Sequence, residues 1–435
     1  MMMVQGGFKG VLGRMDTWHR KSLWLSLLLT AILGSAYALH LGTTLHYSDE
    51  HDYVSIANNL VHHGRFSIDG VHPTAYRAPG YPLVLALLAE LHGGILTFRL
   101  LNVVFGLVTV AGGWWIARTI AGNRVATLAA PLLALYPLRI YTQGTLYPET
   151  LGIALLVVGM ATTISIRDSE KRYPLAVIAG LSFGALVLTI PNTWLPALLC
   201  VLWLGFARPR LPLVAVTVAG VGIGLISIWV ARNAIVLHSF IPVTDGNGYN
   251  LLLANSPHAS IRAGVDTNIT SYVHQAMHRK LSEVATDSFY RSSALHWIDG
   301  HPAHAILLYL GRVLDYFAPF DQLATVGQQS TFTDAIATVT YVPLLAFLIL
   351  RCVRWRTDRP SQSERLMIAV YLGNALVAAI FVTRVRYRLP FDMLLIPIAA
   401  AALMSWFTIE PFRLGSKPKR RIRSQLNHHS TTEHG

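Results

Sequence analysis

Apolar runs of roughly bilayer-spanning length recur along this chain and leave it few ways to fold. They lie at about 22–41, 96–117, 125–141, 150–166, 173–190, 193–207, 211–230, 334–351, 366–383 and 389–408. A helical run near ~20 residues crosses a ~30 Å hydrocarbon core, because each backbone polar group must find its partner inside the segment. Several runs are short for that thickness, so their edges are loosely defined. Composition agrees: 53% of the 435 residues are hydrophobic and 13% charged, against ~25% charged in soluble domains. The expectation is an all-α polytopic membrane protein of about ten transmembrane helices, with interfacial helices and a small extracytoplasmic cap. It divides into an N-terminal membrane module (1–230), a loop or cap (231–333), C-terminal membrane helices (334–410) and a basic tail (411–435).

The formal charge of +13 sits in short clusters between the apolar runs. That is the pattern of topology signals facing anionic headgroups, and no stripe suited to nucleic acid is present. Lys9, Arg14, Arg20 and Lys21 precede the first run; Lys417, Lys419, Arg420, Arg421 and Arg423 follow the last. Both termini are therefore expected in the cytoplasm. The stretch Tyr81 to Leu91 is assigned to an interfacial helix, because a crossing there would turn the clusters at Arg118/Arg124 and Arg167/Lys171/Arg172 outward. The two long segments 42–95 and 231–333 then face outward, as does one basic cluster that breaks the rule: Arg384, Arg386 and Arg388. Ala36-Tyr37-Ala38 also permits a reading of the first run as a cleaved signal peptide.

Cys200 and Cys352 support neither a disulfide framework nor a cysteine metal site, and no Gly-rich phosphate loop or internal repeat is present. Candidate chemistry gathers on the outer side. Asp49, Glu50 and Asp52 lie within four positions just past the first run. Such acids can serve as a general base with pKa values raised by one another, or simply complement a helix N-terminus. Arg77 opens the interfacial helix, where a guanidinium fork suits a carrier-lipid phosphate or anchors to headgroups. Glu149 begins the fourth run, as a second acid or as a cap. Arg384, Arg386 and Arg388 alternate, so on an extended loop they would project to one side and neutralise a departing phosphate, or pair with nearby acids. His46, His51, His62, His63 and His72 crowd the first outer loop with Asp49 but match no ligand spacing. No cofactor is assigned, and a divalent metal stays an alternative without a motif.

Asp49-Glu50-x-x-Tyr53 with Ile56-Ala57, then Arg77-Ala78-Pro79-Gly80-Tyr81-Pro82, resembles the first outer loop of the GT-C glycosyltransferases. Nearest in pattern are the dolichyl-phosphate-mannose protein mannosyltransferases and the lipid A aminoarabinose transferases. Trp229-Val230-Ala231-Arg232-Asn233, Gly248-Tyr249-Asn250-Leu251 with Asn255-Ser256-Pro257, and Arg386-Tyr387-Arg388-Leu389-Pro390 extend the likeness from the first run to the last. Each motif is short, and it is their order that carries the likeness. Relatives often place Lys or His before Pro-Pro where this chain has Arg77 before Ala78-Pro79-Gly80, which sets it apart from both subfamilies.

The resemblance implies a GT-C-like bundle that moves a sugar, with inversion, from a dolichyl- or undecaprenyl-phosphate donor to a glycan, lipid or protein acceptor outside the cytoplasm. A bacterial plasma membrane is expected ahead of an endoplasmic reticulum membrane. Asp49 takes the part of the base, assisted by Glu149 and Glu50. Arg77, Arg384, Arg386, Arg388 and Arg232 are the candidates for the donor phosphate, and Tyr53, Tyr81, Asp52 and Tyr387 for substrate contact. Two other classes fit the frame: an O-antigen polymerase or ligase using diphosphate-linked glycans, and a lipid transporter, which would place ionisable groups near the bilayer midplane.

Overall fold

The computed structural model describes residues 17–262, 264–321 and 330–408. The basic clusters at Lys9/Arg14 and 417–423, and the tail 411–435, lie outside the described residues. The helices are α1 (Thr17–Leu41), α2 (Ser48–His63), α3 (Gly80–Glu90), α4 (Ile95–Leu135), α5 (Pro137–Gly144), α6 (Glu149–Ile166), α7 (Arg172–Thr189) and α8 (Trp194–Phe206). They continue as α9 (Pro212–Val236), α10 (Asn247–Ala254), α11 (Thr270–His278), α12 (Glu283–Gly300), α13 (Pro302–Asp315), α14 (Thr331–Val353), α15 (Gln362–Ala378) and α16 (Val385–Thr408). No strand occurs among the described residues.

Among the described residues seven helices are long and apolar enough to cross a membrane: α1, α4, α6, α7, α9, α14 and α16. The chain is an integral membrane protein. Each of the ten expected runs is helical over most of its length, with α8 (13 residues) and α15 (17 residues) shorter than the seven. Two runs, 96–117 and 125–141, fall largely in the 41-residue α4. At ~1.5 Å per residue a straight helix of that length would far exceed a ~30 Å core. It does not stay straight: Gly122, at φ 84°, breaks it. The chain folds back there, so that a Cβ on Gly113 would touch the Leu133 side chain, while Trp114 and Ala117 share a cluster with Ala126, Ala129 and Ala130. Pro137 then holds Tyr136 extended (ψ 113°) and starts α5.

Burial separates the centre of the bundle from its rim. The spanning windows of α6 and α16 are each 78% buried, against 22% for α9. The rim helices expose large apolar side chains, such as Leu25, Leu28 and Ile32 on α1 and Val216, Ile223 and Ile228 on α9. Water would make that surface an aggregation liability, whereas lipid makes it neutral. At the centre α16 packs against α4, α6, α14 and α15. The expected interfacial helix is α3, whose eleven residues are too short to cross. Gly80 lets it abut the end of α7, since a Cβ there would meet Thr189 Oγ1 and Leu188 O. The segment from Leu237 to Asp321 forms a helical cap from α10 to α13, with α10 packed on α12.

Small residues set one close contact between spanning helices. Gly180 and Gly184 on α7 face the backbone of Val218 and Gly222 on α9, where a Cβ on Gly184 would sit 2.9 Å from Gly222 O. Backbone cannot yield as a side chain can. Gly184→Ala should therefore destabilise by about 1–3 kcal/mol. Gly224→Ala, which meets nothing within 4 Å, should be neutral or stabilising through helix propensity. Thermal unfolding in nanodiscs separates the two, and equal shifts would remove the close-packing account.

Candidate functional site

Four chain segments converge on one cavity of about 780 Å³. They are the first-loop helix α2, the Tyr76–Ala78 turn before α3, the start of α6, and the 384–387 turn entering α16. At its floor Asp49 is held on both oxygens. Arg77 Nη2 donates to Asp49 Oδ1 at 2.8 Å and Arg386 Nη1 donates to Oδ2 at 3.1 Å. Arg386 also places Nε 3.0 Å from Glu149 Oε1, so one guanidinium bridges two carboxylates from residues 337 and 237 positions away. Tyr147 and Tyr387 flank it, with ring centroids 4.8 and 5.2 Å from its Cζ. Arg77 is in turn clamped by Asp52 at 2.6 Å and lies over the rings of Tyr53 and Tyr76.

Burial alone would raise the Asp49 pKa, but Arg386 and Arg77 outweigh it and hold the carboxyl below its usual range. Asp49 is thus ionised at neutral pH. Its ion pairs contribute stability above the ordinary Asp range and lose it as pH falls through the lowered value.

The third cation differs from the other two. Arg384 lines the main cavity and a smaller one of about 140 Å³ beyond Glu149 and Arg386. Its Nε and Nη2 are buried and meet no hydrogen-bond partner among the described residues. Arg384 as a whole is half-buried and the Asp321 carboxylate lies near enough to feel its charge, while these two nitrogens remain free to donate to a further anion.

Several expected site residues lie elsewhere. Glu50 is fully buried and turned away from the cavity: it accepts from His46 N, Tyr47 N and Leu146 N and lies 3.5 Å from Arg99. It staples the first outer loop to the second, and no base is available there. Arg388 is not beside Arg386. The 384–388 segment is the first turn of α16, with Arg388 N bonded to Arg384 O, and residues two apart on a helix diverge by ~200°. Arg388 instead pairs with Asp392 at 3.2 Å and lies 3.5 Å from the Tyr341 ring centroid. Arg232 donates to Thr74 O at 2.9 Å, bracing the first loop. Tyr81 is buried against Asn102, and Asp52 reaches the site only through Arg77.

The five first-loop histidines are all exposed, and His72 pairs with Asp69. No group of three His, Cys, Asp or Glu suited to a metal ion occurs among the described residues. The donor set at Asp49, with a guanidinium on each oxygen, fits an anion better than a resident divalent cation.

The cap contributes residues that sequence reasoning missed: Asn247, Tyr249, Asn250 and Asp266, with Asn192 from the α7–α8 turn. Only the Tyr249-Asn250 stretch carried a signal, as a family match without a role. The cap is tied to the first loop through Glu283, which accepts from Thr74 Oγ1 at 2.7 Å and Ala75 N at 2.9 Å. Asp245 N donates to Ala75 O at 3.2 Å. Burial beside Glu283 and Asp287 pushes the Asp245 carboxyl up to about 8. A raised pKa contributes stability at low pH that is lost as pH climbs through the raised value. The melting temperature should therefore fall from about pH 4 to about pH 8 and level off above it, and Asp245→Asn should flatten that slope. A slope unchanged in the variant would assign it to other groups.

No family model matches the chain, and no curated protein matches it. Solved structures do. The apo oligosaccharyltransferase of Archaeoglobus fulgidus aligns with TM-score 0.56 and 16% identity over 90% of this chain and 51% of that one. The archaeal oligosaccharyltransferase AglB from the same organism, solved with an inhibitory peptide and a dolichol-phosphate, gives TM-score 0.54 and 15% identity over 90% and 50%. This chain thus spans about half the length of those proteins. ArnT from Cupriavidus metallidurans, bound to undecaprenyl phosphate, aligns more loosely, with TM-score 0.45 and 16% identity over 89% and 78%. With its spanning bundle, short interfacial helix and cavity roofed by a loop cap, the chain has the fold of the GT-C class of membrane glycosyltransferases.

Proposed function

We propose that this protein transfers a sugar, with inversion, from a polyprenyl-phosphate donor to an acceptor on the extracytoplasmic face of a plasma membrane. One observation carries the reading: Asp49 and Glu149, with the more exposed Asp266, and three guanidiniums from distant parts of the chain line a single cavity. The cavity also has an apolar side, with Ile190, Ala378, Phe381, Val382 and Phe391 contributed by the ends of apolar helices. A charged headgroup with an isoprenoid tail needs both. The likeness to an oligosaccharyltransferase solved with dolichol-phosphate supports the same donor class.

In this mechanism Asp49 takes the proton of an acceptor hydroxyl as its oxygen attacks the anomeric carbon. The bond from that carbon to the phosphate oxygen breaks on the opposite face, and the electron pair leaves with the polyprenyl phosphate. Arg384 and Arg386 meet the charge that develops there. Glu149 fixes Arg386, while Asp52 fixes Arg77 against Asp49. Before the donor arrives, both Asp49 oxygens are engaged. A phosphate competing for Arg386 would free one of them, so the donor prepares the base and binds first.

Incubation of nanodisc-embedded protein with dolichyl- and undecaprenyl-phosphate sugars, alongside a diphosphate-linked glycan, tests the donor class. The monophosphates should be consumed, and consumption of the diphosphate alone would replace this reading with a polymerase or ligase. Asp49→Asn should abolish transfer while donor still binds, since the amide keeps the shape but cannot take a proton; activity within a few fold of wild type would remove Asp49 as base. Arg384→Ala should weaken donor binding by about ten- to a hundred-fold, the worth of a charge-assisted hydrogen bond. An unchanged donor Kd would return Arg384 to the scaffold.

A further inference from the structure

The wall that the cap presents to the cavity differs in chemistry from the rest. Asn247 and Asn250 are three apart on α10 and so share a helix face. Each side-chain amide is already oriented: Asn247 Nδ2 donates to Thr244 O at 3.3 Å and Asn250 Nδ2 to Gly246 O at 2.9 Å. Each carboxamide still offers its Oδ1 acceptor and one Nδ2 hydrogen. Tyr249 lies between them in sequence. Across from them the Tyr76 ring rests against Gly246, 3.6 Å from where a Cβ would stand. Tyr76 and Tyr249 line the same cavity.

The cap residues that line the cavity include no Lys or Arg, and their one acid is the exposed Asp266. Such a wall has no charge to recruit a phosphate or carboxylate and no apolar recess for a peptide side chain. It offers uncharged amide acceptors and donors beside phenol rings. A polyhydroxylated ring fits that set, with hydroxyls donating to carboxamide oxygens and a C–H face lying on an aromatic ring. The cavity, about 780 Å³, falls in the upper part of the ~300–1,000 Å³ range of ligand pockets. That leaves room for a second ring beside the one the donor carries.

We infer that Asn247, Tyr249 and Asn250, facing Tyr76, form a saccharide-binding subsite, and that the acceptor is a glycan whose hydroxyl is presented from this wall to Asp49. The acceptor role rests on the transferase reading, whereas saccharide binding can be tested without it.

Saturation-transfer NMR on the full chain, in nanodiscs free of glycoside detergent, would use a panel of methyl hexosides and disaccharides with a serine- and threonine-containing hexapeptide for comparison. Glycoside protons should saturate and peptide protons should not. Asn250→Ala and Tyr249→Leu should each weaken glycoside binding about tenfold. Tyr249→Phe, which keeps the ring, should retain most of it, and melting curves establish that each variant is folded. Absent glycoside binding, binding unaffected by the variants, or saturation of the peptide instead would overturn the subsite. Donor consumption in a separate assay tells the two readings apart: glycoside binding without donor turnover sinks the transferase and leaves the subsite standing. Turnover without glycoside binding does the reverse.

Discussion

The guanidinium of Arg386 joins three helices that have no sequence proximity. It sits in the first turn of α16, contacts Asp49 in the second residue of α2 and Glu149 in the first residue of α6. Three ionised groups gathered at the end of an apolar bundle are costly to desolvate, and each is tolerable only because the others are present. The site therefore cannot be built one residue at a time. Its geometry depends on α16 entering the bundle at one fixed rotation and depth.

That depth is set by a second buried pair one half-turn further on. Arg388 and Asp392 are almost wholly buried, with Tyr136 Oη donating to Asp392 Oδ2 at 3.0 Å and Arg388 Nη1 donating to Tyr316 O at 3.0 Å. These contacts tie α16 to the turn before α5 and to the end of α13. Arg99 plays the equivalent part for the first loop. It donates to the carbonyls of Gly42, Thr44 and Gly144 beside Glu50 and thereby joins the end of α1 to the stretch before α6. In apolar surroundings each such anchor is hard to break, since removal of one partner from a buried pair costs ~3–5 kcal/mol. The catalytic candidates themselves are less buried and make fewer bonds. Rigidity has been placed one step behind the chemistry.

This division also explains what could be read from the residues alone. Membrane helices were legible because twenty apolar residues have one physical meaning in a chain with so little charge. The reversal within α4 was legible as well, from the Arg118/Arg124 cluster that parts the runs 96–117 and 125–141, whereas Gly122 as the residue that makes it was not, because a positive φ has no local signature. Asp49 and Glu50 are neighbours with similar chemistry, and only the ~100° turn between consecutive helical residues sends one to the cavity and the other to Arg99. The alternation of Arg384, Arg386 and Arg388 suggested one shared face under an extended geometry, and the helical period reversed that for Arg388. The cap wall was least legible. Asn247 and Asn250 acquire meaning only once α10 is packed on α12 and drawn against Tyr76 through Glu283, a constraint of tertiary origin with no local pattern.

The same constraint bears on how the cavity works as a unit. Its cations lie on the side where apolar helices end, and its uncharged acceptors lie on the cap. On the proposed mechanism a lipid phosphate is drawn to the guanidiniums, while the uncharged cap residues are left to a polyhydroxylated acceptor. Between them stands Asp49, masked by two guanidiniums until an anion competes for one of them. A base exposed from the outset would let water take the place of the acceptor and waste the donor. In that mechanism, release of Asp49 by the donor's own phosphate would couple activation to occupancy through the partner exchange of a single arginine.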